Sequence, residues 1–369
     1  MVRRAEVRRL NVSSVLVGVA FLVPGCTGAA SAPPPSAPGP SAAPATTLPV
    51  SSPGSSGRLV FHSDPGGADD LYAMDGDGSN LIQLTHGLET SVPPVWSPDG
   101  SHVAFVCCLP LRDTIEVMNA DGSGLHDVAR ASGELGPPSW SPDSKRLAFG
   151  SYDDDRVEVV DLDGSNRHIL IRDGTDPSWS PDGRRIAFLS DRDGDLDVYS
   201  ARADGTNQRP LTRNRAPDYE PAWSPDGAHI LFVSERDGNS EVYVMRPDGS
   251  HQTNVSHSPD PDDFPSWSPD GSMLAYVSYA NGADPHTVGQ GNAEVYVVSP
   301  DGSGGRKLVT DPAWDGDPAW APDGERLVFT RRTDHAELFV VRTDGRDVHG
   351  LAGVPGLAND CCAAWQPSA

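Results

Sequence analysis

Between residues 58 and 367 the apolar positions fall in short blocks separated by polar turns, and the blocks return with a period of roughly 40–45 residues. A three-residue apolar run comes first in each unit: Val103-Ala104-Phe105, Leu147-Ala148-Phe149, Ile186-Ala187-Phe188, Ile230-Leu231-Phe232, Leu274-Ala275-Tyr276 and Leu327-Val328-Phe329. A β-branched and aromatic run follows and ends in Asp-Gly, as in Val242-Tyr243-Val244-Met245 before Asp248-Gly249. A third, shorter run comes next, for example Leu211-Thr212, and a Trp-bearing segment completes the unit. Runs of this length and composition predict strands, four to a unit, joined by hairpins.

The unit is punctuated by Trp-Ser-Pro-Asp-Gly. It occurs at Trp96, Trp179, Trp223 and Trp267, with degenerate copies at Trp140, Trp320 and Trp365. The tryptophans lie 44, 39, 44, 44, 53 and 45 residues apart. Ser-Pro-Asp-Gly is a tight turn: Pro presets φ, Asp suits the third position and Gly closes the fourth. A strand-rich period of this size predicts the blades of a β-propeller. Asp-Gly units after the long strand stand at Asp77, Asp121, Asp163, Asp204, Asp248, Asp301 and Asp344, which makes seven blades. The Trp anchors also number seven but are offset. The first unit begins at Leu59-Val60-Phe61 without a Trp, and Trp365 has no unit after it. The expected fold is therefore all-β: one seven-bladed propeller over residues 58–369, closed by the Trp365 strand pairing near Leu59, which removes the free sheet edge.

These residues resemble the TolB-type propeller repeat, a relative of the WD repeat, over nearly all of 58–367. The resemblance implies the propeller fold. It does not single out a function, since such propellers serve as binding platforms, as accessory domains of enzymes and occasionally as enzymes. The best-known TolB protein carries fewer blades and a separate N-terminal domain, for which no room is expected here, so its cell-envelope role is not transferred.

The N-terminus reads as a targeting segment. Arg3, Arg4, Arg8 and Arg9 form a basic region, and Val12 to Val23 is an apolar run too short for a comfortable membrane span. Val23-Pro24-Gly25-Cys26 resembles a lipobox, giving a signal peptide over 1–25 and a lipidated Cys26; cleavage a few residues later is the other reading. Residues 27–57 are almost entirely Ala, Pro, Ser, Thr and Gly and read as a solvated tether, with a reach on the order of 90 Å in polyproline form. Export and a lipid anchor on the outer face of the cytoplasmic membrane follow.

The net charge is −24, and loss of residues 1–25, with four Arg and one Glu, would leave −27. That argues against nucleic acid and against direct binding to anionic lipid. The repeated Asp-Gly carboxylates read first as turn chemistry. Asp191-Arg192-Asp193-Gly194-Asp195-Leu196-Asp197 has calcium-loop spacing but lacks the flanking helices and a later Glu, and Glu235-Arg236-Asp237-Gly238-Asn239 repeats it as a family hairpin. No cofactor is expected, a divalent cation being the one alternative. No His pair, Cys-X-X-Cys or Gly-X-Ser-X-Gly points to a metal site or a serine hydrolase.

The approach to each Trp carries acids: Asp176; Asp218 and Glu220; Asp262 and Asp263; Asp315 and Asp317; Asp360. By strand order these surround one mouth of the channel, together with the loop Tyr279 to Ala293. They form either a solvated rim or a site for a cationic peptide, an amine, a protein or a metal ion. The reading is a monomeric binding or scaffold module; the rival is a metal-dependent lyase or hydrolase acting on polysaccharide or peptide. Cys107-Cys108 are placed after the second strand of the second blade and Cys361-Cys362 before the closing strand, at the same mouth. In an oxidising compartment the even count favours cross-links between the pairs, with bonds within each pair or free thiols as the alternatives.

Overall fold

The computed structural model describes residues 57–65, 69–88, 92–109, 112–131, 133–280, 292–310, 312–351 and 359–368. The leader, Cys26, the tether up to residue 56 and residues 281–291 of the long loop lie outside them. The described strands form seven four-stranded antiparallel sheets. We number the blades from the N-terminus. Blade I pairs Cys361–Trp365 with Arg58–Ser63, then Asp70–Asp75 and Ile82–Gln83. The other blades open on Val95–Trp96 (II), Ser139–Trp140 (III), Thr175–Trp179 (IV), Asp218–Trp223 (V), Asp262–Trp267 (VI) and Trp314–Trp320 (VII). First strands of neighbouring blades touch one another from blade III through blade VII and on to blades I and II, so the first strands line the central channel.

The turns follow the chemistry of their residues. In Ser97-Pro98-Asp99-Gly100, the Gly100 N–H donates to the Ser97 carbonyl at 2.8 Å, and Gly100 sits at φ +68°, which a side chain would resist. The Ser97 hydroxyl donates to Asp99 at 2.7 Å and accepts from His102 N–H at 2.9 Å, locking the hairpin into the second strand. The same bonds recur at Ser180, Ser224 and Ser268. Desolvation opposes ionisation of Asp99, but the Ser101 and Ser97 hydroxyls outweigh it and hold the carboxyl at about 2. The Asp-Gly turns behave likewise: Asp77, Asp121, Asp248 and Asp301 each accept from the hydroxyl and N–H of the Ser two residues on.

The core lies between blade faces. One cluster joins Leu59, Phe61, Tyr72 and Met74 of blade I to Val328, Leu338 and Val340 of blade VII, with Trp365 between them. The Trp repeat adds a polar staple. The indole N–H of Trp140 donates to the Val95 carbonyl at 3.0 Å and that of Trp267 to Ala222 at 3.2 Å, each reaching the residue before the preceding blade's Trp. Trp96 makes the equivalent bond, 3.1 Å long, to Ala364, 268 residues away, which ties blade II to the closing strand of blade I; the indoles of Trp179, Trp223 and Trp365 make no such bond. The closing register is Leu59↔Trp365. Gln366 adds bonds to Arg58 and Gly100, and Asn359 to Asp64.

Two details differ from the sequence expectation. The fourth strand of blade IV is Arg209–Pro210, just before Leu211-Thr212: Pro210 cannot donate, and the Thr212 hydroxyl instead accepts the Val198 N–H at 2.9 Å and donates to Asp197 at 2.8 Å, capping the strand. Cys107 and Cys108 lie inside the second strand of blade II, opposite Thr114 and Asp113, and Cys361-Cys362 lie inside the closing strand.

Candidate functional site

The first strands of blades IV to VII slip register before the Trp, between Thr175 and Ser178, Tyr219 and Ala222, Asp263 and Ser266, and Gly316 and Ala319. The residue three before the Trp takes positive φ in each: Asp176 (47°), Glu220 (53°), Phe264 (52°) and Asp317 (51°), and the closing strand repeats it at Cys362 (58°). Left-handed backbone at non-glycine residues stores strain, and a bulge re-aims the side chain it carries. Five strands sharing one bulge on one wall of the channel is a built feature of the ring.

The bulge sorts the sequence-predicted acids into two rows. The inner row is Asp176, Glu220, Asp263 and Asp317, from four successive blades. Asp176, Glu220 and Asp317 are half-buried, and Asp263 is buried. Glu220 is pushed well above the usual carboxylate range by burial and then by Asp263 and Asp176. Asp263 is raised to about 7 by burial, and it shares a hydrogen bond with Glu220. The pair holds a proton between two blades. Burial also raises Asp176 and Asp317. Asp176 accepts from the Tyr152 hydroxyl at 2.6 Å, and its second oxygen is buried without a hydrogen bond, as is one oxygen of Asp317. Tyr279 feels Asp263, Asp317 and Glu220 together, which places these acids around one space.

Sequence reasoning missed the partners of this row. Tyr152, Tyr219 and Tyr279 carry hydroxyls to it, Arg332 stands beside Asp317 with its guanidinium 5.0 Å from the Trp314 ring, and Glu134 is raised by burial and by Asp113, Asp153 and Asp176. A tyrosine beside the pre-Trp acid, as in Tyr219-Glu220, was the available signal. Cys361 and Cys362 place their sulfurs 2.7 Å apart, and burial raises Cys362. Cys107 is buried against Val60 and Leu71 of blade I.

The outer row is Asp218, Asp262, Asp315 and Asp360, five before each Trp and buried at the seams. Asp218 accepts from Arg236 at 3.0 Å, and Asp315 accepts two bonds of 2.8 Å from Arg331. Asp218 and Asp315 thus pair with arginines inside the seams rather than face solvent.

The calcium-spaced segment is a hairpin: Gly194 N–H bonds Asp191, Asp193 accepts from the Tyr199 hydroxyl, and Asp197 belongs to the Thr212 cap. Among the described residues, no group of three or more His, Cys, Asp or Glu is arranged to hold a metal ion. A cleft on blade IV, lined by Arg184, Arg185, Arg202 and Arg209, lies away from the acids. Chemically, the inner row can bind a cationic group or hold and release a proton.

Seven blades of this construction, closed by a C-terminal strand, define a β-propeller. Residues 111–290, just under half of the chain, match the family described as TolB beta propeller domain. TolB homologs of Chlorobaculum tepidum and Chlorobium chlorochromatii are each 40% identical over 48 residues, 13% of this chain and 11% of theirs, so the match spans about a ninth of those relatives. Among solved structures, TolB from Acinetobacter baumannii is 20% identical with a TM-score of 0.54, over 81% of this chain and 79% of that one. An oligogalacturonate lyase in complex with manganese is 15% identical with a TM-score of 0.58, over 80% and 84%. The propeller domain of the Trilobed protease from Pyrococcus furiosus, described as having an open velcro topology, is 13% identical with a TM-score of 0.57, over 78% and 90%. At these identities the solved structures show the fold alone.

Proposed function

We propose that this protein is an exported, lipid-anchored binding module that captures a cationic group of a protein, peptide or amine at the acidic mouth of its channel. The observation that carries the reading is the inner row: Asp176, Glu220, Asp263 and Asp317 from four successive blades, gathered by a repeated strained bulge. A rigid ring presenting convergent carboxylates recognises positive charge with little reorganisation. The basic leader, Cys26 and the proline-rich tether support export and anchoring, with the head held away from the membrane.

The Glu220–Asp263 pair favours one rival. Carboxyls raised toward neutrality serve as general acids, and a lyase or hydrolase would use them so. A stoichiometric transition metal in the purified protein, with turnover of polysaccharide or peptide, would favour that enzyme.

The test is capture of envelope proteins, and titration with a lysine-rich peptide, by the full chain and by a variant carrying Asp176→Asn, Glu220→Gln, Asp263→Asn and Asp317→Asn. The variant should keep its fold and lose capture. Because Asp263 ionises near 7, peptide affinity should rise between pH 6 and pH 8, by up to about tenfold for one coupled proton. Unaltered capture by the folded variant rules the inner row out as the site.

A further inference from the structure

The seams of blades IV, V and VII are built alike, and that of blade VI lacks a part of theirs. In blade V, Asp218 stands opposite Ser234, and Arg236 closes on it. The Arg236 guanidinium lies 5.3 Å from the Phe232 ring and 4.5 Å from the Tyr243 ring, and it bonds the Ser234 hydroxyl and Gln252. In blade VII, Asp315 stands opposite Arg331, whose guanidinium lies 5.5 Å and 4.4 Å from Phe329 and Phe339. Blade IV repeats the stack with Arg192 over Phe188 and Tyr199. Each of these seams has an aromatic pair with an arginine on it.

Blade VI has the acid and the aromatic pair without the arginine. Asp262 stands opposite Ser278, and Tyr276 and Tyr296 stack at 5.5 Å. Ser278 occupies the place of Arg331, and Ala280 that of Arg236. The absence goes beyond two positions: from Pro247 to Gly305 the sequence contains no Lys or Arg. Asp262 is 0% exposed, and neither of its oxygens closes a hydrogen bond of good geometry, although Ser278, Ser256 and Ser258 surround it. The next carboxylate is Glu241 of blade V, also buried, which accepts from the Ser256 hydroxyl at 2.6 Å and the Ser258 N–H at 3.1 Å. A carboxylate buried as Asp262 is, with no arginine on it, is costly to keep ionised.

We propose that the seam between blades V and VI is a cation site, in which Asp262 and Glu241 with the hydroxyls of Ser256, Ser258 and Ser278 hold a hard divalent ion of the calcium type. An all-oxygen donor set with two carboxylates suits such an ion in charge and in ligand type, and it disfavours the softer transition metals. Full burial favours a bare ion over an incoming arginine side chain, which would need an open cleft. The ion would do at this seam what Arg236 and Arg331 do at theirs. This site is separate from the inner row and does not rest on it.

The experiment measures calcium binding and melting of the chelator-washed full chain, with magnesium, sodium, zinc and an arginine-rich peptide as parallel probes. Calcium should bind at one ion per chain and raise the melting temperature. Asp262→Asn, a neutral replacement of the same shape, should abolish both effects. Ala280→Arg, which restores the neighbour's arginine, should also abolish binding while raising the calcium-free melting temperature. The fourfold inner-row variant should bind calcium unchanged, which separates failure of this site from failure of the channel-mouth reading. Binding that survives Asp262→Asn, a preference for zinc, stabilisation by the arginine peptide alone, or no response to any cation would each overturn the proposal.

Discussion

Blades V and VI are near copies that solve one electrostatic problem differently. Both place an aspartate five residues before the Trp, both bury it at the seam with the preceding blade, and both put a backbone bond from its N–H to that blade, Asp218 to Leu196 and Asp262 to Ser240. Blade V answers the buried charge with Arg236 stacked on an aromatic pair. Blade VI keeps the pair and offers only hydroxyls, and burial drives Asp262 up to about 7. One carboxylate is a strut paired with a guanidinium. The other meets no guanidinium, and a cation beside it would favour its ionised form. Repeats in a ring share backbone geometry, so a substitution of one or two side chains changes what a seam can do without changing the fold.

The largest effect should come from opening the ring in which the blades are compared. Truncation after Gly356 removes Cys361–Trp365 and with it the Leu59 pairing, the Trp365 packing and the acceptor of the Trp96 indole. The truncated chain should unfold or oligomerise through the bare edge of Arg58–Ser63. Light scattering and thermal melting check this, and a monomer with unchanged melting would remove the closing strand from the account.

A smaller but more pointed test sets a filled seam against the seam without an arginine. Arg331→Met strands the buried Asp315 and should cost about 3–5 kcal/mol in denaturant unfolding. Asp262→Asn should have the opposite sign without cation. Folded Asp262 keeps its proton to about 7, whereas the unfolded chain releases it near the ordinary value of about 4. Wild-type stability therefore falls as pH rises from about 4 to about 7, and the Asn variant, spared that loss, should be the more stable protein at pH 8 and equal to wild type below about pH 4. Equal losses from the two variants at pH 8 would erase the distinction between the seams.

The smallest effect concerns the thiols. The latch expectation calls for a peptide joining Cys107 or Cys108 to Cys361 or Cys362 in a non-reducing map of the purified protein. Cys107 already packs on blade I, whose strand Arg58–Ser63 pairs with the cysteine-bearing strand. A map holding only unlinked peptides, or only bonds within each Cys-Cys pair, would show that backbone pairing and tryptophan staples alone close the ring.

The sequence by itself determined the strand order, the number of blades and the closure. These depend on local chemistry repeated seven times: Pro and Gly in the turns, β-branched and aromatic runs in the ladders, and a Trp at a constant place in each unit. Even the offset of the last Trp was enough to pair it with Leu59. The acids before each Trp were also legible as a group. Only the tertiary structure decided which acid does what. A strand read from sequence alternates strictly, so acids two residues apart, Asp218 and Glu220 or Asp315 and Asp317, should share a face, but the bulge at Asp176, Glu220, Phe264, Asp317 and Cys362 inserts a left-handed residue that resets the alternation. That reset leaves Asp218, Asp262, Asp315 and Asp360 in the seams and turns Asp176, Glu220, Asp263 and Asp317 toward one another. Whether a buried acid meets Arg236, Arg331 or only serines depends on side chains from other strands and neighbouring blades, a contact that no local pattern records.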